Sequence, residues 1–175
     1  LIALPRQEFY SIGIDNGTQN NVGWCVLFGD RYRRSGVWRL GTSRIPMENR
    51  LDILFAMCSE MFANFSAQPH AAVVGIEEPF LKMNAKTVIA LAKSWATIRA
   101  AARFHHLPVH GIQPSTAKLA ATGDGRADKE KVLRFINSQF GLALSDDNEA
   151  DAVAIALATR AKHKERAWNS LSRSG

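Results

Sequence analysis

The first regular feature of the chain is an apolar run, YSIGID, that stops at Asp15; across a turn rich in Gly and Asn a second run, GWCVLF, follows. Short apolar runs bounded by turn formers predict strands, here residues 10–15 and a hairpin partner at 23–28. Residues 32–40 alternate and include Val37, Trp38 and Leu40, which predicts a third antiparallel strand. From 48 to 65 the apolar positions are Leu51, Leu54, Phe55, Cys58, Met61, Phe62 and Phe65, the i, i+3, i+4, i+7 spacing of a one-faced helix. AAVVGIEEPF is another short buried strand, stopped by Pro79. Residues 84–106 form a long helix with Val88, Leu91, Ala92, Trp95, Ile98 and Ala102 on its apolar face, and LPVHGI is a short strand. A brief helix begins at Pro114–Thr116 and TGDGRA is a glycine-rich loop. Asp128 caps the helix KEKVLRFINSQF and Gly141 ends it. The last helix begins near Asp146–Asp147 and carries EADAVAIALATRA.

The order β-β-β-α-β-α-β-α-α predicts an α/β fold. Three antiparallel strands come first, then two joined by helical crossovers, which are parallel and right-handed. The result is a five-stranded mixed sheet flanked by helices. Residues 1–175 are expected to form one domain, its core at about 10–162 and a basic tail at 163–175, the tail being a frayed, solvated end. With 46% hydrophobic residues and no apolar run near the roughly 20 residues of a membrane span, a membrane protein is not expected. LIALPRQEFY lacks the basic-then-apolar design of a secretory signal. The two cysteines, Cys25 and Cys58, sit in apolar segments and offer neither a disulfide framework nor zinc spacing. A cytoplasmic protein with buried free thiols is expected. The net charge of +6 favours a polyanionic partner. Basic residues gather at Arg31–Arg34, at Lys82 and Lys86, around 118–131 and after Arg160.

Asp15, Glu77 and Asp151 are acids in apolar surroundings. Asp15 ends the first strand and Glu77 the fourth, which this order pairs beside the first. Asp151 lies on the last helix among small residues that permit close packing. Each alone could be a cap or a turn residue at the rim of the sheet. Together they would repel, and a hard divalent cation bound by carboxylate oxygens is the simplest compensation. Asp147 and Asn148, four and three residues earlier, could share the face of Asp151; Asp146 and Glu149 are expected to face solvent. Capping and dipole complementation suffice for Asp146. Such a cluster supports in-line displacement at phosphorus with two metal ions about 4 Å apart, and needs no Ser or Cys nucleophile. The five histidines offer no pair at ligand spacing within one predicted helix.

Two protein classes write a strand-borne Asp followed by Gly-Thr. Sugar kinases and other actin-like ATPases use it for phosphates, and nucleases of the ribonuclease H type hold divalent metal with it. The kinases need two such domains, and 175 residues have room for one. The motifs in order resemble the RuvC family of Holliday junction resolvases, bacterial or phage, within the ribonuclease H-like fold. The resemblance covers residues 10–162. GIDNGTQNNVGW resembles the first motif, with Asp15 as first metal ligand; GIEEPFLKMNAKT resembles the second, with Glu77 rather than Glu78 as the next. Phe80 then matches an aromatic used at the junction centre, and Asn84 the asparagine that follows. QPSTAKLAATGDGRADKEKV resembles the basic segment, placing Lys118 and Lys129 on DNA-contacting lysines, and NEADAVAIAL the last motif, with Asp151 as final acid. Where the family has an acid or His three residues before that Asp, this chain has Asn148. An amide oxygen ligates Mg²⁺ more weakly, Asp147 could take over, and an introduced Asp→Asn change would read the same.

The resemblance implies a metal-dependent, structure-selective endonuclease that cuts four-way DNA junctions with paired nicks, leaving 5′-phosphate and 3′-hydroxyl ends. It implies two Mg²⁺ per site, with Mn²⁺ as an alternative, and no small-molecule cofactor. It further implies a homodimer meeting through the helix at 84–106, where Trp95 would otherwise be ordinary core. Lys82, Lys86, Lys118, Arg126, Lys129 and Lys131 would meet DNA through phosphates. Asn148 leaves open a junction-binding protein impaired in catalysis. An RNA-processing relative of the same fold is the other alternative, and Phe80 speaks against it.

Overall fold

The computed structural model describes residues 8–16, 20–68, 70–79 and 84–172. β1 (Tyr10–Asp15), β2 (Asn21–Phe28) and β3 (Arg31–Arg39) form an antiparallel meander. β4 (Ala72–Glu77) and β5 (Val109–Ile112) add in parallel, giving the order β3-β2-β1-β4-β5. The expected five-stranded mixed sheet is therefore present. Alternating side chains divide the core. Ile12, Ile14, Val26, Val74 and Ile76 pack with Leu54 and Phe62 of α1 (Met47–Ser66) and Ile98 of α2 (Ala85–Phe104). Cys25, Leu27 and Ile112 pack on the opposite side with α3 (Pro114–Thr122), α4 (Lys129–Phe140) and α5 (Asp147–Ser172). Both cysteines are buried and free, and burial raises both thiols well above their ordinary range.

α5 lies directly on the sheet because three strand positions facing it have no side chain. A Cβ on Gly23 of β2 would strike the Asn148 carbonyl, and one on Gly13 of β1 would strike the Ala152 carbonyl and the Ala156 amide. A Cβ on Gly75 of β4 would strike the Thr159 hydroxyl. Glycine within a strand marks such close backbone approach. The helix answers with small residues: Ala150, Ala152, Ala154, Ala156 and Ala158 are all buried. Its diagonal path over β2, β1 and β4 brings its first turns to the ends of β1 and β4.

Several boundaries and faces differ from expectation. β2 begins at Asn21, the brief helix after β5 is the nine-residue α3, and Ala92 is exposed. As far as Ser172 the tail is helical rather than frayed, because α5 continues as one helix to that residue. Residues 160–168 contain neither Gly nor Pro, and the sheet gives that turn anchors. Arg160 donates to the Gly29 carbonyl at 3.1 Å and pairs with Asp30, while Lys162 donates to Gly111 O at 2.9 Å. Among the described residues no helix is long and apolar enough to cross a membrane.

A histidine pair completes this anchorage. His110 of β5, 5% exposed, lies with Nε2 3.2 Å from Nδ1 of His163, whose ring also meets Phe9 edge-on. Burial, then Arg166, His163 and Lys162, lower His110 to about 4; burial and Arg166 lower His163. Both groups therefore refuse protons that the unfolded chain accepts, so their contribution is present above pH 6.5 and lost as pH falls toward 4. His110 alone should cost roughly 2 kcal/mol by pH 5. Raised carboxyls elsewhere pull the other way, so the comparison is with His110→Gln: wild type should lose more of its thermal midpoint between pH 7 and 5. Parallel pH curves for the two proteins would refute this coupling.

Candidate active site at the ends of β1 and β4

β1 and β4 are parallel neighbours with Ile14 opposite Ile76, so Asp15 and Glu77 leave the sheet side by side on the face that α5 covers. Asp15 is 3% exposed, and the Glu77 carboxyl hydrogen-bonds to it. Two carboxyls that share a buried site disfavour each other's charged form. Burial raises Glu77 above the usual carboxylate range; Asp151 raises it further, while the bond to Asp15 and the charges of Lys129 and Lys118 lower it. Burial also raises Asp151, as does Asp147, against the opposing pull of Lys129 and Lys118. Four acids, Asp15, Glu77, Glu78 and Asp151, border one open cavity of about 650 Å³ together with Lys118 and Lys129, and Glu78 accepts a hydrogen bond from Gln113 Nε2.

Asn148 also lines this cavity. Its Nδ2 and backbone N–H both donate to Asp146 Oδ1 at 2.9 Å, so Asp146 caps α5 as expected and its carboxyl is lowered, first by the side-chain bond from Asn148. The amide oxygen of Asn148 is then the atom left to face a ligand. Asp147 is not among the cavity's lining residues. It is half exposed, with Lys129 Nζ 3.7 Å away; the same ammonium is 3.8 Å from Asp151. Glu149 departs from expectation: it accepts from Ser35 Oγ at 2.5 Å, because β3 runs across the start of α5.

Of the expected DNA contacts, Lys118 and Lys129 border the cavity. Lys86 is exposed on the first turn of α2, and Arg126 is exposed in the loop before α4. Lys131 is tied to Asp124 at 2.8 Å, and Asn84 caps α2 by accepting from Thr87 N at 3.0 Å and Oγ1 at 3.1 Å. Phe80 and Lys82 lie outside the described residues. Two residues that the sequence marked only as turn formers are walls of the site. Asn16, 4% exposed, donates Nδ2 to Leu91 O of α2 at 2.8 Å, and its buried Oδ1 has no hydrogen-bond partner among the described residues. Asn20 accepts from Arg50 Nη1 at 2.5 Å and anchors Leu40 N through its carbonyl at 2.7 Å. Their place directly behind Asp15 was the available signal.

Among the described residues no three Asp, Glu, His or Cys side chains by themselves enclose an ion. The donors that could meet one are oxygens: the paired carboxyls of Asp15 and Glu77, Asp151 across from them, and the amide of Asn148. An all-oxygen set suits a hard divalent cation and not a thiophilic one. A pair of buried acids that disfavour each other's charge fits such an ion.

The profile of the family described as Crossover junction endodeoxyribonuclease RuvC matches residues 11–159. The Corynebacterium jeikeium protein named crossover junction endodeoxyribonuclease RuvC is 36% identical over 152 residues, 83% of this chain and 90% of that one. The structure of Thermus thermophilus RuvC superposes with a TM-score of 0.71 at 25% identity, covering 86% of this chain and 92% of that one. The same organism's RuvC in complex with a Holliday junction substrate has the same fold, with a TM-score of 0.73, 24% identity and the same coverage. This chain belongs to the RuvC family of crossover junction endodeoxyribonucleases.

Proposed function

We propose that the protein is a divalent-metal-dependent endonuclease that resolves four-way DNA junctions by paired, symmetric nicks in recombination and repair. The observation that supports it most is the acid pair Asp15–Glu77, with Asp151 and two lysines on the same cavity, in a member of this family. Asp15, Glu77 and Asp151 would hold Mg²⁺, or Mn²⁺ in its place, two ions per site, with the Asn148 amide oxygen as a weaker fourth donor. Bound divalent ions would supply an activated water and charge stabilisation at the leaving 3′-oxygen. Lys118 and Lys129 would hold the scissile phosphate and, by their charge, favour the ionised carboxylates that ligation requires. The burial that raises Glu77 and Asp151 makes the acids compete with protons, so cutting should weaken as pH falls.

Two symmetric cuts on a two-fold junction call for a two-fold dimer. α2 would provide the contact: Ile89 is 58% exposed on it, whereas Trp95 is half-buried against its own core. A labelled synthetic four-way junction with Mg²⁺, beside a linear duplex of the same sequence, tests the reading. Paired nicks in the junction alone are expected; binding without nicks would instead identify an impaired junction binder.

Asn148→Asp should raise cutting at limiting Mg²⁺ by at least about tenfold, the scale on which changes in a metal's ligand shell act. Asp147→Asn should be nearly silent, because Asp147 stands on Lys129 outside the cavity. A Mg²⁺ titration of both variants reads this. If neither moves the curve, the helix contributes Asp151 alone.

A further inference from the structure

The arginine cluster at the start of β3 belongs to no part of the site described above. β3 is one of the two edge strands of the sheet, and Arg31, Arg33, Arg34 and Arg39 on it are all exposed. Consecutive strand residues point to opposite faces, but this edge is irregular. Tyr32 pairs with Leu27 and Arg34 with Val26, which leaves Arg33 as an extra, bulged residue. A bulge re-aims side chains and twists the edge. Here Arg33 and Arg34 border one surface cleft of about 340 Å³, walled by Tyr10, Tyr32 and Phe65. The Tyr10 and Phe65 rings stand 5.0 Å apart, and the Arg34 guanidinium lies 5.8 Å from the centre of the Trp24 ring. Among the described residues Arg31 pairs with Glu8 and Arg160 with Asp30, while no carboxylate pairs with Arg33 or Arg34.

Charges on an edge strand also discourage edge-to-edge pairing. A bulge on an edge strand serves the same purpose, but edge protection alone does not require adjacent guanidinia on one aromatic-walled cleft. The cleft has a defined place relative to the carboxylates, on the other face of the sheet: Tyr10, Val26 and Phe65 belong to the α1 and α2 side, whereas Asp15 and Glu77 share the α5 side with Gly13 and Gly75. Arg34 is in register with Val26 and, through it, with Ile12, three residues before Asp15. It therefore lies about 10 Å down the strands and two strands across, roughly four nucleotides of backbone from the acid pair. At the other end of β3, Arg39 contributes its charge beside Asp146 at the start of α5. Exposed arginines thus stand at both ends of this edge strand.

Resting on the junction-nuclease reading above, we infer that Arg33 and Arg34 grip the phosphodiester backbone of a junction arm several nucleotides from the scissile phosphate. Guanidinium pairs suit phosphate oxygens, and such contacts add affinity and register without reading sequence. The test uses the full chain and the double variant Arg33→Ala/Arg34→Ala. For the four-way junction the slope of log affinity against log salt should become shallower by about two units, at about 0.9 per contact. The affinity gap to wild type should then narrow about tenfold between about 50 and 200 mM salt. Cutting of the saturated junction should not change. Ethylation of phosphates about four nucleotides from the nick should impede wild-type binding and not that of the variant. Arg33→Lys/Arg34→Lys should keep most of the slope, and Arg103→Ala, exposed at the far end of α2, should keep all of it.

An unchanged slope in the alanine variant overturns the inference, as does slower cutting at saturation, which would place these residues in the catalytic apparatus or the fold. A mononucleotide that competes with the junction at matched ionic strength, and only through these arginines, also overturns it in favour of a small-ligand pocket. If the wild-type chain neither binds nor cuts junctions, the functional reading itself falls, a result separate from any of these.

Discussion

Asp15→Asn should bind a four-way junction as tightly as the unaltered chain and nick it at least about a thousandfold more slowly. Ligated divalent ions contribute several kcal/mol to such a displacement, and each 1.4 kcal/mol is about tenfold in rate. Affinity should survive because it comes from cations such as Lys118 and Lys129 at the cavity, not from a carboxylate buried at a strand end. The substitution also relieves the acid pair. With Asn at 15, Glu77 no longer shares its site with a second buried carboxyl, so the variant should not unfold more readily in the absence of divalent ions. Mg²⁺ should raise the thermal midpoint of the wild type and leave that of the variant nearly unmoved. Gel-shift binding in chelator, nicking in Mg²⁺ and paired melting curves measure the three effects. A variant that nicks within tenfold of wild type would remove Asp15 from the metal site.

What could be read in advance follows from how local each cause is. The ends of β1 and β4 were visible because the apolar runs stop at Asp15 and Glu77, and crossover order alone makes those strands neighbours. Asp151 was visible as an acid inside the apolar run ADAVAIA. Asp128 as a cap is also local, and that cap is present, whereas Asn84, expected on DNA, caps α2. Register across distant elements has no local signature. Glu149 was expected in solvent, yet Ser35, 114 residues earlier, meets it because the third strand turns back over the start of α5. Lys131 was expected on phosphate, and a loop acid seven residues before it holds its ammonium. The tail was expected to fray, and as far as Ser172 it does not, because β5 and the turn after β2 provide carbonyls for Lys162 and Arg160. The bulge that aims Arg33 and Arg34 together is a difference of one residue between paired strands, invisible in either strand alone.

The largest stability effect should come from a residue with no side chain. Gly13→Ala would place a methyl group against the Ala152 carbonyl and the Ala156 amide, backbone atoms of a helix that cannot turn aside as a flexible side chain could. The helix must lift off β1, and overpacking of this kind costs about 3 kcal/mol, or about 6–12 °C in thermal midpoint for a domain of this size. Function should fall with it, because α5 holds Asp151 and Asn148 in relation to Asp15 and Glu77. The variant should therefore cut slowly even at temperatures where it remains folded. Gly141→Ala is the matched control. Gly141 ends α4 with φ of 65° and has open space where a Cβ would go. An alanine there meets only the strain of the left-handed conformation, about 1–2 kcal/mol, at a point remote from the acids, and cutting of the folded protein should be unaltered. Melting curves and single-turnover nicking on the two variants separate general destabilisation from displacement of the helix. Equal nicking by Gly13→Ala and wild type below their midpoints would mean that the contact between α5 and β1 does not set the geometry of the site.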